Sequence, residues 1–310
     1  MKGIVLAGGT GTRLLPSTNS TNKHLLTVYD KPMIYYPLSA LMLGGIKEIL
    51  IISTPEDKQR FKDLLGDGSS FGICLTYEIQ EEPNGIPEAL MIGENFIGGD
   101  DVTLILADNI FFGLGFTNII RQAIRDNEYA TIFGYRVKDP RRFGVIEFDE
   151  WQNVISLEEK PQDPKSDFAA TGLYIYDHQA VKMVRKLSFS SRGELEITDL
   201  NKLYLEKDQL KVQLLGRGFA WMDAGTHEAL FEASAFIKNI QDRQGFKVAC
   251  LEEIAYYLGY ISKHSLYQIG KQMDNNEYGA YLLELAGRKH THQYWDESLH
   301  YPHLRPVRHG

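Results

Sequence analysis

The chain has 310 residues, enough for one large or two modest domains around a sizeable core. Its apolar (43%) and charged (24%) fractions are those of an ordinary globular protein, and a net charge of −8 argues against a general nucleic-acid binder. Two cysteines, Cys74 and Cys250, exclude a disulfide framework and read as small buried apolar residues; no apolar run reaches the ~20 residues that span a bilayer.

No charged leader with an apolar h-region precedes the first strand, so a soluble cytoplasmic protein is expected. That strand is the apolar run Gly3-Ile4-Val5-Leu6. It runs into Ala7-Gly8-Gly9-Thr10-Gly11-Thr12-Arg13-Leu14. Glycines at 8, 9 and 11 remove the Cβ atoms that would block a tight turn or a close ligand, and a backbone freed in this way can aim N–H groups at a phosphate. Arg13 adds a forked cation suited to phosphate oxygens. The stretch is not a P-loop, because no Gly-Lys-Ser/Thr ends it. As a dinucleotide fingerprint it fails at Leu14, where a third small residue belongs. Taken alone, it also fits a purely structural turn. Lys23 and then Asp30-Lys31-Pro32-Met33 follow.

Strand-like runs recur at 48–52, 74–79, 102–106 and 131–135, with helical stretches at 34–43, 57–65, 87–92 and 116–126. This alternation predicts an α/β fold with a mostly parallel, Rossmann-like sheet covered on both faces. Ligands in such a sheet bind beyond the carboxyl ends of the strands, where both the glycine loop and Ala107-Asp108-Asn109 fall.

From about residue 140 the pattern changes. Short strands are expected at 143–148, 154–158 and 171–176, with a polar loop at 160–166, which reads as a lid or subdomain carried on the sheet. Helices at 195–206 and 226–242 flank a strand at 211–215 and the approach 219–222 to a second acidic loop, Trp221-Met222-Asp223-Ala224-Gly225-Thr226. Three helices are expected at 251–258, 263–273 and 278–286. The organisation is therefore 1–245 as the α/β part, with about 140–225 as its lid, then a helical segment 246–287 and a tail 288–310. The tail holds five of the nine histidines in no recognised zinc spacing, and Pro302 and Pro306 oppose a regular helix, so it reads as a solvated or partner-contacting arm.

Asp108 and Asp223 are either turn and cap aspartates or a pair able to hold Mg²⁺ with a nucleoside triphosphate, which takes one or two carboxylates plus phosphate oxygens. Glu158-Glu159-Lys160-Pro161 reads as a solvated ion pair. Arg192 reads as a surface arginine at a helix start.

The segment from Gly8 to Arg13, followed by Lys23 and Asp30-Lys31-Pro32, resembles the signature of sugar-1-phosphate nucleotidylyltransferases. The wording Tyr29-Asp30-Lys31-Pro32-Met33-Ile34-Tyr35-Tyr36-Pro37 is most similar to the glucose-1-phosphate thymidylyltransferase branch, and the resemblance extends over about residues 1–285. It implies an Mg²⁺-dependent enzyme joining dTTP and glucose 1-phosphate into dTDP-glucose and pyrophosphate, for deoxysugar and cell-surface polysaccharide synthesis. It implies metal binding by Asp108 and Asp223, and catalytic roles for Arg13, Lys23 and Lys160. The nucleotide falls to Gly8, Gly9, Gly11, Thr12, Arg13, His24, Gln80, Gly85 and Asp108, and the sugar phosphate to Gly144, Glu159, Lys160, Thr171 and Arg192. Gln80 sets a donor beside an acceptor, matching N3–H and O4 of thymine or uracil. Partners are the triphosphate and the sugar 1-phosphate, with no nucleic acid or membrane, in a homo-oligomer, tetramer or dimer.

Several positions depart from the family pattern. His24 replaces a glutamine, Ala107 a glycine, Glu88 a glutamine and Phe143 a tyrosine. They leave the phosphate and metal groups intact and leave open UTP, another hexose 1-phosphate, or a catalytically weak nucleotide-sugar binding protein.

Overall fold

The computed structural model describes residues 1–9 and 11–288, so the expectation for the tail falls, from residue 289 onward, outside the described residues, as does Thr10. The chain opens with β1 (Lys2–Ala7), then the glycine loop and a small hairpin of β2 (Thr27–Val28) on β3 (Lys31–Pro32). Next come β4 (Glu48–Ser53), β5 (Cys74–Ile79) and β6 (Val102–Leu106). These lie parallel in the order β6-β1-β4-β5, the parallel arrangement expected for strands separated by helices.

Both faces of this part of the sheet are covered. Along β1, Ile4 and Leu6 enter one apolar cluster and Val5 and Ala7 the other; along β4, Leu50 and Ile52 oppose Ile49 and Ile51 in the same way. All eight are buried, which is why the sequence reads as continuous apolar runs and not as alternation. Each buried branched side chain contributes about 1.5–3 kcal/mol at most. Helix Tyr35–Leu43 is apolar on nearly all sides because it lies between the sheet and helix Leu251–Tyr257, with which it shares one cluster.

After β7 (Asn109–Phe112), the strands β8 (Ala130–Arg136), β9 (Gly144–Phe148), β10 (Val154–Glu159), β11 (Phe168–Tyr176) and β12 (Leu210–Leu215) complete a nine-stranded sheet among the described residues, without β7. β11 is the joint: it runs antiparallel to β6, to β8 and to β9, while β12 lies parallel to β8. The expected lid is thus continuous with the main sheet. β11 has a register break against β8 between Ala170 and Tyr174, which takes residues 171–173 out of that ladder.

β7 pairs instead with β13 (Ala220–Asp223) in a separate antiparallel ribbon. Residues 109–112 were not expected as a strand. Helix His227–Gln244 follows, its Thr226 Oγ1 accepting from the Ala229 amide at 3.2 Å, a cap at the expected start. The C-terminal helices Lys263–Gln272 and Glu277–Gly287 pack with Cys250 around Leu266, Leu282 and Leu285. Cys250 is buried as expected, but Cys74 is exposed. Cys74 begins β5, the last strand at its side of the sheet, and lies opposite the equally exposed Glu48. Among the described residues no helix is long and apolar enough to cross a membrane.

Candidate functional site

β1, β5 and β6 deliver three loops to one end of the sheet. After β1, Gly9 and Gly11 take positive φ (93° and 62°), a conformation that a side chain opposes. The chain then closes a tight turn at Thr12–Leu14, where Leu14 N donates to Gly11 O at 2.9 Å. Leu14 is fully buried and anchors the turn, leaving Thr12 and Arg13 exposed. Lys23 sits in a second short turn capped by Asn22, whose Oδ1 accepts from His24 N at 2.9 Å. The Asn22 amide donates to Ala7 O (3.3 Å) and to Asp57 (2.8 Å), pinning this turn against the end of β1.

The ribbon brings the two acidic loops together. Asp223 stands opposite Asn109, and Ala224 N donates to Asp108 O at 2.9 Å. Lys23 Nζ reaches Asp108 Oδ2 at 2.5 Å. Arg13 lies against the turn beyond Asp223: a Cβ on Gly225 would sit 3.0 Å from Asp223 Oδ1 and 3.1 Å from the Arg13 guanidinium. Arg13 and Lys23 therefore flank two half-buried or buried carboxylates far apart in sequence.

The two carboxylates titrate in opposite directions. Burial opposes the charge of Asp108, but Lys23, by its charge and its hydrogen bond, and Asn109 hold it well below the usual carboxylate range. Burial and then the charge of Asp108 push Asp223 up to about 6, against the attraction of Lys23, Arg13 and Arg142. Two acidic oxygens sharing one place, with one carboxylate under-compensated, fit a divalent cation that takes its other ligands from phosphate. Among the described residues no group of three or more His, Cys, Asp and Glu gathers as a self-sufficient metal site.

His24 is 1% exposed. Its Nδ1 lies 3.2 Å from Ala7 O, which only accepts, so the proton is on Nδ1. Burial, reinforced by the charge of Lys23, lowers its pKa to about 3.

Gln80, just past β5, is buried, and, against the expectation of a donor beside an acceptor for the base, both its amide hydrogens are taken up within the protein, which leaves only Oε1 for a ligand. Its Nε2 donates to Glu88 Oε2 at 2.7 Å and to Gly85 O at 3.2 Å. Gly85 has φ +108° and bridges to Leu195; a Cβ there would fall 2.1 Å from Leu195 O.

Glu159, Lys160, Gly144, Thr171 and Arg192 form the other half. Gly144 faces Glu159 across β9–β10, and a Cβ on it would meet Thr198 Oγ1 at 2.8 Å. Thr198 donates to Glu159 Oε2 at 2.5 Å, and Arg192 bridges Glu159 (3.2 Å) and Glu196 (2.5 Å). Lys160 leaves the end of β10 with φ +44°, its amide tied to Phe143 O at 3.0 Å, its ammonium 3.6 Å from Glu159 and 46% exposed. Thr171, in the register break of β11, keeps a fully buried Oγ1 with no hydrogen-bond partner. A hydroxyl left so costs about 1–3 kcal/mol.

Residues that the sequence reading did not single out join the halves. Asn109 Oδ1 accepts from Gly172 N (2.9 Å) and from Trp221 Nε1 (2.6 Å), while its Nδ2 donates to Asp108 Oδ1 at 3.0 Å. Trp221 then packs on Phe143, ring centroids 5.0 Å apart. The buried Tyr174 hydroxyl, raised far above its usual range by burial, feels both Glu159 and Asp108. Thr198, on helix Ile197–Leu205, carries no sequence signal beyond its helix; Asn109 is signalled only by its place beside Asp108.

Residues 2–240 match the model of the family described as nucleotidyl transferase. A glucose-1-phosphate thymidylyltransferase of Neisseria meningitidis serogroup A is 56% identical over 285 residues, 92% of this chain and 99% of that protein. One from Xanthomonas campestris pv. campestris is 51% identical over 291 residues, 94% and 99% of the two chains. A crystal structure from Bacillus anthracis, assigned as a glucose-1-phosphate thymidylyltransferase and determined with a sucrose, superposes with a TM-score of 0.71 at 42% identity, covering 76% of this chain and 94% of that one.

Proposed function

The chain belongs to the nucleotidyl transferase family, and on that footing we propose that it transfers a thymidylyl group from dTTP to glucose 1-phosphate, releasing pyrophosphate. The observation that carries the proposal is the ribbon pairing that sets Asp223 opposite Asn109, beside Asp108, with Lys23 and Arg13 at hand. Relatives spanning nearly the whole chain support the choice of substrates.

In this reading a phosphate oxygen of the sugar phosphate attacks the α-phosphorus in line, the bond to the β-phosphate oxygen breaks, and pyrophosphate leaves with that electron pair. The attacking oxygen is already anionic, so no general base is required. The glycine loop at 8–11 cradles the triphosphate with its amides. Arg13 and Lys23 offset negative charge on the triphosphate as the bond to pyrophosphate stretches. Lys160 and Arg192 hold the sugar phosphate, with Glu159 accepting from sugar hydroxyls and Thr171 beside them in the register break of β11. Gln80 and Gly85 read the pyrimidine. Mg²⁺, held by Asp108 and Asp223, supplies a Lewis acid to the triphosphate oxygens when bound. The family resemblance extends the proposal to a cytoplasmic homo-oligomer, dimer or tetramer.

The test is pyrophosphate release with Mg²⁺ and glucose 1-phosphate across dTTP, UTP, CTP, GTP and ATP. The reading expects dTTP to lead. A lead for UTP would keep the chemistry and move the substrate. Silence with all five, repeated with other hexose 1-phosphates, would overturn the enzyme reading in favour of a binding protein.

A further inference from the structure

We propose that Glu88 is a positioning residue that holds the amide of Gln80 in one orientation and so selects the base of the triphosphate. The proposal rests on the nucleotidyl-transfer reading above and deepens it.

Both amide hydrogens of Gln80 are in use. Its Nε2 donates to Glu88 Oε2 at 2.7 Å and to Gly85 O at 3.2 Å. A carboxylate and a carbonyl are acceptors only. Turned over, the amide would set its own oxygen against both of them. Glu88 is fixed in turn, because its other oxygen accepts from Asn84 Nδ2 at 2.9 Å. Gln80 itself is 5% exposed, with little room for another rotamer.

The consequence lies on the far side of the amide. Gln80 Oε1 faces the phosphate loop, where a Cβ on Gly8 would fall 2.4 Å from it. Only hydrogen on Gly8 leaves room for that oxygen, so the amide presents an acceptor on the side of the nucleotide loop. Thymine and uracil carry N3–H and satisfy it. Cytosine has a lone pair at N3 and would face acceptor with acceptor. A glutamine free to turn would adapt to either base, since it carries a donor and an acceptor of nearly equal shape. Glu88 removes that freedom. Discrimination of this kind, which leaves buried acceptors facing one another, reaches about 10- to 100-fold.

The experiment compares kcat/KM for dTTP and for CTP, with glucose 1-phosphate and Mg²⁺, in the natural protein, Glu88→Ala and Glu88→Gln. In Glu88→Ala the dTTP-to-CTP ratio is expected to fall about tenfold or more, with the change in KM and not in kcat. Glu88→Gln keeps one acceptor oxygen for Gln80 once Asn84 turns its own oxygen to the new amide, so the ratio returns to within about threefold of the natural value. A purely electrostatic role would move Glu88→Ala and Glu88→Gln together and both triphosphates alike, which overturns the proposal. An unchanged ratio in a folded Glu88→Ala overturns it too. Glu88→Met, which keeps the length and loses the acceptor, stands in if the alanine variant does not fold by circular dichroism. If the natural protein turns over no triphosphate, the enzyme reading falls by itself. The same ratio is then measured as equilibrium affinity for dTTP and CTP by calorimetry, and decides the role of Glu88 separately.

Discussion

Asp223 lies directly across an antiparallel ribbon from Asn109, the residue that follows Asp108. Two acidic loops more than a hundred positions apart are thereby joined by backbone hydrogen bonds and not by side-chain contact alone. The ribbon is short, yet Trp221 and Ile110 are both buried in it, so its register is held by the core.

Asp108→Ala and Asp223→Ala are therefore each expected to lose about 10²- to 10³-fold or more in turnover while the fold survives, because the backbone pairing does not need the carboxylates. Pyrophosphate release and far-ultraviolet circular dichroism check this. A folded Asp108→Ala enzyme with ordinary turnover would remove the metal assignment.

Asn109 distributes three hydrogen bonds between Asp108, Gly172 and Trp221. Asn109→Leu keeps its bulk and strands two buried donors, at about 1–3 kcal/mol each. The variant should lose about 2–5 kcal/mol in urea unfolding and at least tenfold in turnover, since Asp108 loses the group that orients it. Stability within 0.5 kcal/mol (roughly the scatter of neutral surface changes) would show that the network is incidental.

Gly85 combines a positive φ with contact against Leu195 O. Gly85→Ala must move the 80–88 loop away from the segment that carries Arg192, at a cost of about 3 kcal/mol from strain and overlap together. The expected reading is a lower midpoint in urea and a raised KM for the triphosphate. A wild-type KM would detach this loop from the nucleotide.

Much of this was legible in the chain itself. The buried strands announce themselves as apolar runs, and the glycine loop and Asp108 fall at their carboxyl ends because a parallel sheet puts every loop of that kind on one side. Tertiary pairing is another matter. Nothing in Asn109-Ile110-Phe111-Phe112 says that it leaves the main sheet to meet residues 220–223, so the convergence of the two aspartates came only from the resemblance. Thr198 reaches Glu159 from a helix whose periodicity is all that its sequence reveals. Cys74 is misread because a cysteine's burial depends on whether its strand lies at an edge, and composition carries no information on that.

His24 is buried and neutral, with a pKa lowered to about 3 from an ordinary 6.5. Below pH 6.5 the unfolded chain takes up a proton that the folded one refuses, so the stability tied to this histidine is complete above that pH and drains away as the pH falls toward 3. At pH 5 the loss amounts to about 2 kcal/mol. His24→Gln, which cannot titrate, removes this term. Urea unfolding of both proteins at pH 7.5 and pH 5 should therefore show the natural protein losing about 2 kcal/mol more than the variant over that interval. The comparison of slopes cancels any fixed difference between the two side chains. Parallel slopes would mean that His24 is protonated, or reached by water, in the folded protein. The hydrogen bond from Nδ1 to Ala7 O survives in either case, since an imidazolium donates there too, so the outcome would bear on the burial of the ring beside Lys23 and not on that bond.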